Sequence, residues 1–456
     1  MGSISGINLS SILSALGSSS AGIDVPSAVA QALAAESGPL TQWQQEQALI
    51  QSQTGDINQI ESDLTALQNA LNSLGDPVGA LLSMATASSN SSVVTASAAA
   101  GSVPGNHVIV VKSLASTASW YSDSVASSST ALAAGSFTLQ VGSNAPIQVS
   151  IGGSVDTMDQ LASYVNGLGA GVTASVVNDS SGSRLAIVSA SSGAAGNITI
   201  SNTTGLNFTQ AATGLDASLT VDGIPIDSAS NTVTGVVAGV TFNLLSASPG
   251  TQVNVSVSPD VTQITQAVTS FVNAYNTVIG DVNQEFTVGA NGVQGPLAGD
   301  STLRMLQDQL LGSGSYSGSG SAISTLGGLG ITMNDDGTLT LDSGALSSAV
   351  QNNFSDVQNF FQGTSSNGFA SFLNDQLNTM TDPVSGAFTV DLQSLSSENS
   401  DLQSQIDDFQ VYLQSEQTRL TDEYNQADTL LQQLPILEQQ INAELGNTSN
   451  NSNNGG

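Results

Sequence analysis

Side chains that could perform chemistry are few in this sequence, and the first to consider is its single histidine. His107 precedes an apolar run at 108–111, a pattern that places it at the entrance to a strand. General-base catalysis needs a partner that positions the imidazole as well as the imidazole itself. A lone histidine also lacks the second imidazole that a histidine-based metal site would use. We therefore predict a structural role for His107.

Asp335, Asp336 and Asp342 are close enough in sequence to suggest a Ca²⁺ loop. An EF-hand places its acidic ligands at alternate positions and ends on a Glu, and this spacing does not match that pattern. Asn, Asp and Gly favour tight turns, because they tolerate positive φ and form local hydrogen bonds. The residues Ile331 and Leu339 on either side alternate as in strands, so we predict a β-hairpin here.

A glycine- and serine-rich run at 312–320 superficially matches a phosphate-binding loop. It has no following lysine and does not join a strand to a helix, so we predict a flexible loop. The sequence contains no Cys, which removes thiol catalysis, disulfides and cysteine-ligated metals. We therefore predict no catalytic, cofactor-binding or metal-binding residues, no cofactor, and a protein that is not an enzyme.

Net charge excludes further functions. The chain of 456 residues has 36 acidic and 4 basic side chains, which gives a net charge of −32. Four dispersed cations cannot form a phosphate-neutralising stripe, so nucleic acid is excluded as a partner. The field of so acidic a protein also disfavours anionic membrane surfaces. The basic residues are Lys112, Arg184, Arg304 and Arg419.

The location of the protein is suggested by composition. The first 20 residues lack the basic region and the long apolar region of a cleaved secretion signal. A Cys-free, Lys-poor chain rich in Ser, Gly and Asn is typical of a protein that works outside the cell. We expect export by a route that reads an uncleaved signal. The apolar runs are too short to predict a membrane span.

Apolar residues with heptad spacing are the strongest pattern in the chain. The first row ends at a Gly75-Asp76-Pro77 stop signal and predicts a helix that forms a coiled-coil seam. A second row predicts a helix over 392–434, about 65 Å long at 1.5 Å per residue, which Pro435 should kink or end. The first row consists of Ile57, Ile60, Leu64, Leu67, Leu71 and Leu74. The second includes Leu402, Ile406, Phe409, Leu413, Leu420, Leu430 and Leu434.

The role of these rows has two compatible interpretations. They could form an intramolecular coiled coil, or part of the same stripe could contact other copies or another assembly. Glu416 and Glu423 occupy seam positions where a tight two-helix interface would favour Leu. Burial of an unpaired carboxylate is costly, so these layers are expected to be solvent-accessible or loosened.

Further helices are expected after the centre of the chain. Ser258 and Pro259 predict an N-cap and a first helical residue, followed by apolar residues in steps of four and three from Ile264 to Phe286. Shorter helices are predicted at 303–311, 346–361 and 369–380.

Between Leu81 and Val257 the apolar pattern changes to period two, which predicts strands separated by Gly- and Ser-rich turns. One helix interrupts them, with Thr157 and Gln160 as a predicted capping box. The expected fold is therefore α+β and multi-domain, with β-rich heads inserted into a helical, coiled-coil leg built from both termini.

The predicted domain boundaries follow these patterns. The leg comprises 39–75 with 259–434, the first head 76–124 with 214–258, and the second head 125–213. Flexible segments are predicted at 1–38 and 435–456, because the two ends of the chain have a low-complexity composition. Leu9, Ile12, Leu13 and Leu16 keep helical spacing within the first segment, which could therefore order on a partner.

Several stretches of the sequence resemble the flagellar hook-associated protein 2 family, the filament cap. Residues 22–25, GIDV, are similar to the opening signature of that family. The C-terminal part of this chain matches the family more closely. That part contains GDSTLR at 299–304, LGI at 329–331, DGTLTLD at 336–342 and VQNFF at 357–361. The resemblance covers essentially the whole chain, and the central β-region is matched least specifically.

This resemblance implies an extracellular homo-oligomer at the distal tip of the bacterial flagellar filament. Its legs would contact the filament end, and newly exported flagellin would fold and insert beneath a plate formed by the heads. The resemblance also implies an export chaperone that binds the C-terminal segment. Two alternatives stay open: an adhesin that binds surface or host glycans through its heads, and another axial component of the flagellum.

Overall fold

The computed structural model describes residues 24–289, 292–319, 322–363 and 367–450, with only the backbone for 446–450. Long amphipathic helices lie towards both ends of this described chain, and strands occupy its centre. The helices are α1 (Val25–Glu36), α2 (Gly38–Gly75), α3 (Met158–Gly167), α4 (Val261–Phe286), α5 (Ser301–Ser313), α6 (Ser343–Asn352), α7 (Phe354–Gln362), α8 (Phe369–Thr381) and α9 (Ala387–Asn450). Short 3₁₀ turns lie at Ala80–Leu82, Ala194–Gly196 and Leu326–Leu329.

The strands follow the predicted period-two pattern. They are β1 (Met84–Ser88), β2 (Val94–Ala98), β3 (Gly105–Ser113), β4 (Thr117–Ser122), β5 (Gly135–Val141), β6 (Ile147–Ile151), β7 (Val172–Asp179), β8 (Gly182–Ser192), β9 (Ile198–Thr204), β10 (Phe208–Ala212), β11 (Ala217–Val221), β12 (Ile224–Ser228), β13 (Thr232–Val237), β14 (Val240–Leu244), β15 (Val253–Pro259), β16 (Ile331–Met333) and β17 (Leu339–Leu341). The α+β class and the insertion of sheets between terminal helices confirm the predicted fold.

The leg is organised around α2 and α4, which pack against each other over the second half of α2. Helix α8 covers a second side of α2, and α5, α6 and the β16–β17 hairpin pack around α4. Helix α7 packs on α2, α6 and α8. Phe271, Tyr275 and Val278 of α4 are fully buried in this core. The hydroxyl of Tyr275 donates to the carbonyl of Leu310 (2.9 Å), and burial raises the pKa of this phenol to about 12.

The first head contains two antiparallel sheets around one apolar core. Their strand orders are β1-β15-β3-β11-β12 and β13-β14-β2. Alternating residues such as Val253, Val255 and Val257 of β15 point into the core, because successive side chains of a strand face opposite sides. Strand β15 leads directly into α4, which connects this head to the leg.

The second head has its own core between the sheets β10-β4-β8-β7 and β6-β5-β9, with α3 packed on β7. Thr157 caps α3, since its hydroxyl accepts the N–H of Gln160 (3.3 Å). The Gln160 side chain accepts the N–H of Asp156 (2.9 Å), whereas the predicted capping box would have it accept the N–H of Thr157. Strand β4, which the sequence placed in the first head at 76–124, pairs with β8 and β10 of the second head. The domain boundaries themselves stay a prediction.

The start of α4 differs from the sequence prediction. Asp260, not Ser258, is the N-cap of α4, and its Oδ1 accepts the N–H groups of Thr262 and Gln263 (both 3.1 Å). Ser258 and Pro259 instead complete β15, where they pair with Ala85 and Met84. Pairing with β1 extends β15 through Ser258, although the local sequence would also allow a helix to begin at that residue.

Three other helical segments also differ from expectation. Helix α9 continues through Pro435 to Asn450, so this proline does not end it. The predicted helix at 346–361 is two helices, because the backbone leaves the helical conformation at Asn353 (φ −137°, ψ 41°). In the predicted N-terminal segment 1–38, residues Val25–Glu36 are helical; residues 1–23 lie outside the described part.

Candidate assembly surface of the helical leg

The first heptad row builds the centre of the leg. Every member is at most 2% exposed, because α4 and α8 cover the row from two sides. Full burial of a Leu or Ile side chain contributes about 1.5–3 kcal/mol, so the row stabilises the leg. Polar pairs flank it: Gln68 donates to Asn378 (2.9 Å), and Asn374 donates to Asn72 (2.7 Å). The buried residues are Ile57, Ile60, Leu64, Leu67, Leu71 and Leu74.

The start of the second row joins α9 to the first half of α2. Leu402 and Ile406 are 5% and 3% exposed and form a small cluster with Ile50. Beside this cluster the Gln47 amide donates to Gln403 Oε1 (2.7 Å). The two terminal helices are therefore in contact, and they run antiparallel here.

Aromatic side chains continue the same interface. Trp43 of α2 meets Phe409 of α9 edge to face, with ring centroids 5.3 Å apart. Tyr412 stacks on the outer side of Phe409 at 5.6 Å. Edge-to-face pairs add about 0.5–1.5 kcal/mol beyond the area that they bury. Phe409 is half-buried, so this layer is only partly closed by the described residues.

Beyond Phe409 the short helix α1 takes over from α2 as the neighbour of α9. A shallow groove of about 390 Å³ runs between them, and Leu33 and Leu413 face each other across it. Its other lining residues are Ala30, Ala34, Ser37, Gln410, Gln414 and Gln417. The small residues of α1 leave the groove open, so Leu413 remains half-buried.

Exposure of the second row increases towards the C-terminus. Leu420 is half-buried, whereas Leu430 and Leu434 are 65% and 57% exposed. The predicted residues thus divide into a buried part, which holds the leg together, and an exposed part, which no described segment covers. The assignment of any of them to contacts with other molecules stays a prediction.

The two seam carboxylates share one cation. Glu416 and Glu423 both pair with Arg419 on the same helix, Glu423 at 2.8 Å. The hydrogen bond from Arg419 lowers the pKa of Glu416, so this carboxyl stays ionised at neutral pH. Glu423 is 67% exposed, so its layer is accessible to solvent, whereas the Glu416 side chain is only 12% exposed and its charge is compensated by Arg419.

Comparison with known proteins gives this arrangement a family. Residues 21–118 match the model of the flagellar hook-associated protein 2 N-terminus, and residues 214–435 match that of its C-terminus. Together these matches span well over half of the chain. The chain belongs to the flagellar hook-associated protein 2 family.

Individual relatives cover most of the molecule. The B-type flagellar hook-associated protein 2 of Pseudomonas aeruginosa is 28% identical over 81% of this chain and 84% of its own length. The flagellar hook-associated protein 2 of Escherichia coli K12 is 27% identical over 76% and 79%. The crystal structure of the flagellar cap protein FliD D1-D2-D3 domains from Escherichia coli matches with a TM-score of 0.60 and 25% identity, over 75% of this chain and 99% of that one.

Membership of the hook-associated protein 2 family confirms several predictions from the sequence. The chain is an extracellular protein of the bacterial flagellum, and its role is that of the filament cap. It is a structural protein and not an enzyme, as the sequence predicted.

The residues considered for chemistry have structural roles. His107 Nδ1 lies 2.8 Å from Asp222 Oδ2, and the same carboxylate accepts the N–H of Val108 (2.8 Å). Asp342 caps α6 by accepting the N–H groups of Gly344 and Ala345 (2.9 and 3.0 Å). Within the described ranges, no group of three or more His, Cys, Asp or Glu side chains could hold a metal ion.

Other features of the sequence are also accounted for by packing. Tyr316, in the Gly/Ser run, packs among Phe360, Phe369 and Phe372, and its hydroxyl donates to the carbonyl of Asn367 (3.0 Å). None of the described helices is long and apolar enough to cross a membrane.

The adjacent aromatic residues Trp120 and Tyr121 point to opposite faces of their sheet. The Trp120 indole packs on the core of the second head and donates to the carbonyl of Ile198 (2.9 Å). Tyr121 is 38% exposed and lies 5.7 Å from the Arg184 guanidinium. The pair therefore does not form one shared sugar-binding platform.

Sequence reasoning missed the residues of α2 and α1 that receive α9. Trp43 and Ile50 precede Ile57 in steps of seven, so continuing the first heptad row towards the N-terminus is the signal that could have identified them; Leu40 lies three residues before Trp43. Val25 and Val29 of α1 are buried although the surrounding sequence is rich in Ala and Ser. Their short side chains allow α1 to approach α9 closely.

Proposed function

We propose that this chain assembles as a homo-oligomer on the distal end of the flagellar filament, where it promotes the insertion and folding of exported flagellin. The single observation that supports this most strongly is the match to the Escherichia coli cap structure. It spans 99% of that three-domain chain, so the leg and both heads have counterparts there. Flagellin and further copies of this chain are the proposed partners.

The leg is suited to contacts that must be made and broken repeatedly. A cap that moves as each subunit is added needs many weak contacts, because one deep interface would dissociate too slowly. The part of α9 beyond Phe409 is only partly covered by described residues, and acidic groups are interspersed along it. We propose that this part of the leg, including Leu413, Leu420, Leu430 and Leu434, contributes the contact surface.

The test is complementation of a flagellated host that lacks its own hook-associated protein 2. The full chain should restore long filaments, whereas a chain carrying Leu413→Ser and Leu420→Ser should release flagellin into the medium and give short filaments. The matched control is Val384→Ser, which changes an apolar residue that is 82% exposed in a turn outside α9. Normal filaments from the double variant, at wild-type abundance, would contradict the proposed surface; failure of the full chain at normal abundance would contradict the cap function.

The C-terminal segment 435–456 is also proposed to bind an export chaperone. Ile436, Leu437 and Ile441 are 49–58% exposed, and an apolar helix of this kind fits a hydrophobic groove on a partner. Ile436→Ser with Ile441→Ser should reduce the amount of this chain exported while its intracellular synthesis continues. Unchanged export would contradict the proposal.

A further inference from the structure

Two segments of the chain connect the heads, and they are paired with each other. Residues 114–116 lead from β3 of the first head to β4 of the second, and residues 213–216 lead back from β10 to β11. The N–H of Ser116 donates to the carbonyl of Leu215 (2.9 Å), and the Ser116 hydroxyl donates to the carbonyl of Thr213 (2.8 Å). Because these hydrogen bonds tie the two segments together, neither segment can change its direction alone.

The first head fixes the point at which the outgoing segment leaves it. The Asn231 side chain, in the turn between β12 and β13, accepts the N–H of Ala115 (2.8 Å) and donates to the carbonyl of the same residue (3.1 Å). One amide thus satisfies both backbone groups of Ala115, as a neighbouring strand would. Ala115 is also buried and belongs to the apolar core of the first head. The first head therefore sets the direction of the outgoing segment.

The second head holds both segments through the turn that follows β8. The N–H of Gly193 donates to the carbonyl of Ser116 in the outgoing segment (3.0 Å). The N–H of Ala194 donates to Asp216 Oδ1 in the returning segment (2.7 Å). A hydrogen bond from a backbone N–H to a carboxylate is stronger than one to a neutral acceptor. Both connecting segments are therefore attached to consecutive residues of one turn.

The two heads also touch each other directly at this turn. The Ser192 hydroxyl, at the end of β8, donates to the carbonyl of Ala229 in the first head (2.6 Å). A Cβ added to Gly193 would lie 2.7 Å from the Cα of Ala229 and 2.6 Å from Asp216 Oδ1, distances too short for any side chain. Gly193 also has a φ of +89°, in the left-handed region that favours glycine. The heads therefore close on each other with no room for a side chain between them.

Rotation of one head relative to the other would break these contacts together. It would separate Ser192 from Ala229 and Ala194 from Asp216, and it would leave their polar groups without partners. Domains of one chain usually move relative to each other unless a large apolar interface joins them. Here the paired segments, the hydrogen bonds and the close approach take the place of such an interface. They converge on residues 192–194 with Asp216 and Ala229, here called the interlock.

We propose that the interlock holds the two heads as one rigid body, with Gly193 allowing the close approach and Asp216 providing the hydrogen bond that maintains it. A displacement of the first head by the leg is then transmitted to the second head without a change in their relative orientation. This property of the heads goes beyond the cap function and does not depend on it.

The absence of native Cys allows two spin labels to be attached at chosen positions of the purified full-length chain. Ser97→Cys places one label on β2 of the first head, and Ser150→Cys places the other on β6 of the second head; both residues are exposed. An excess of unlabelled chain suppresses distances between copies. Pulsed electron paramagnetic resonance should give a single narrow distribution of the distance between the two labels. A broad distribution in this chain would show that the heads move independently and would overturn the proposal.

Two further substitutions in the labelled chain test the interlock itself. Gly193→Ala inserts a methyl group where the heads touch and should broaden the distance distribution at least twofold. The matched control is Gly223→Ala in the turn between β11 and β12, because Gly223 has a similar φ of +84° but a Cβ there would meet no atom within 4 Å. This control should leave the distribution unchanged.

Asp216→Ala removes the acceptor of the Ala194 N–H without adding bulk, so it tests the interlock even if Gly193→Ala does not fold. We expect Asp216→Ala to broaden the distance distribution as well. If Asp216→Ala gives the same narrow distribution as Gly223→Ala, the carboxylate does not hold the heads together and the proposal is wrong.

Discussion

Asp281 of α4 lies beside Asp63 of α2 at the interface of the two central leg helices. Burial, together with the hydrogen bond and the charge of the neighbouring Asp63 carboxyl, raises the pKa of Asp281 to about 6. Burial also raises the pKa of Glu285, one turn along α4, although its carboxylate accepts the N–H of Leu297 (2.8 Å). Carboxyl groups of both helices therefore meet at an interface that is otherwise apolar.

The Asp281 pair predicts that the leg is more stable in mild acid than at neutral pH. The pKa of Asp281 is raised from 3.8 to about 6 in the folded state, so the folded chain holds a proton that the unfolded chain releases. Its contribution to stability is fully present below about pH 4 and is lost as pH rises through about 6. We expect Asp281→Asn to raise the free energy of unfolding by about 1 kcal/mol at pH 7.5, a value reduced for solvent screening.

The measurement is denaturant unfolding followed by helical circular dichroism at pH 5 and pH 7.5. Asp375→Asn, which removes an exposed carboxylate from α8, is the control for the loss of one negative charge. If Asp281→Asn and Asp375→Asn give the same stability change at both pH values, the carboxyl pair has no special role.

The two heptad rows predict losses of stability of very different size for the same Leu→Ala substitution. Leu67→Ala removes a side chain that is fully buried between α2 and its neighbours, so it should destabilise the leg by about 2–5 kcal/mol. Leu430→Ala removes a side chain that is 65% exposed and should change the free energy of unfolding by less than about 0.5 kcal/mol. Thermal unfolding of both variants provides the comparison. Similar losses of stability would contradict the division of the rows into a buried and an exposed part.

The sequence predicts helical rows well but not what covers them. The spacing of Leu67 and Leu430 is equally regular, because heptad periodicity reports only that a helix has an apolar face. Burial depends on whether a second segment arrives, and α8 reaches Leu67 from about 300 residues away in sequence. The contact between α2 and α9 was missed for the same reason, although Trp43 and Ile50 continue the seven-residue spacing of Ile57 and Leu64.

Helix starts show a second limit of local patterns. A Ser-Pro-Asp sequence offers two N-caps, and local preference does not choose between Ser258 and Asp260. The pairing of β15 with β1 decides which residue is the N-cap, because Ser258 is paired with Ala85 of β1 and so belongs to the strand. Where no sheet competes, as at Thr157, the N-cap was predicted correctly and only the reciprocal bond differs.

The N-cap of α4 can be tested by two substitutions that are two residues apart. Asp260→Ala removes both side-chain hydrogen bonds to the N–H groups of Thr262 and Gln263, and should cost about 1 kcal/mol of stability. Ser258→Ala, at an exposed strand position, should change stability by less than about 0.5 kcal/mol. Chemical denaturation of the two variants measures this difference. A larger loss of stability for Ser258→Ala than for Asp260→Ala would show that Ser258 is the N-cap.

The contact between Trp43 and Phe409 predicts local opening of α9 without unfolding of the leg. Phe388 near the start of α9 is buried in the leg core, whereas the region around Phe409 is held by the small cluster next to Trp43. Trp43→Ala should therefore remove about 2 kcal/mol from the local docking free energy. Amide hydrogen exchange over residues 402–413 should become roughly 30-fold faster, and exchange in α4 should not change.

The matched control is Tyr412→Ala, which removes the 49% exposed ring on the outer side of Phe409 and should have a much smaller effect. Equal acceleration throughout α4 and α9 would show that the two regions open together, contrary to this prediction.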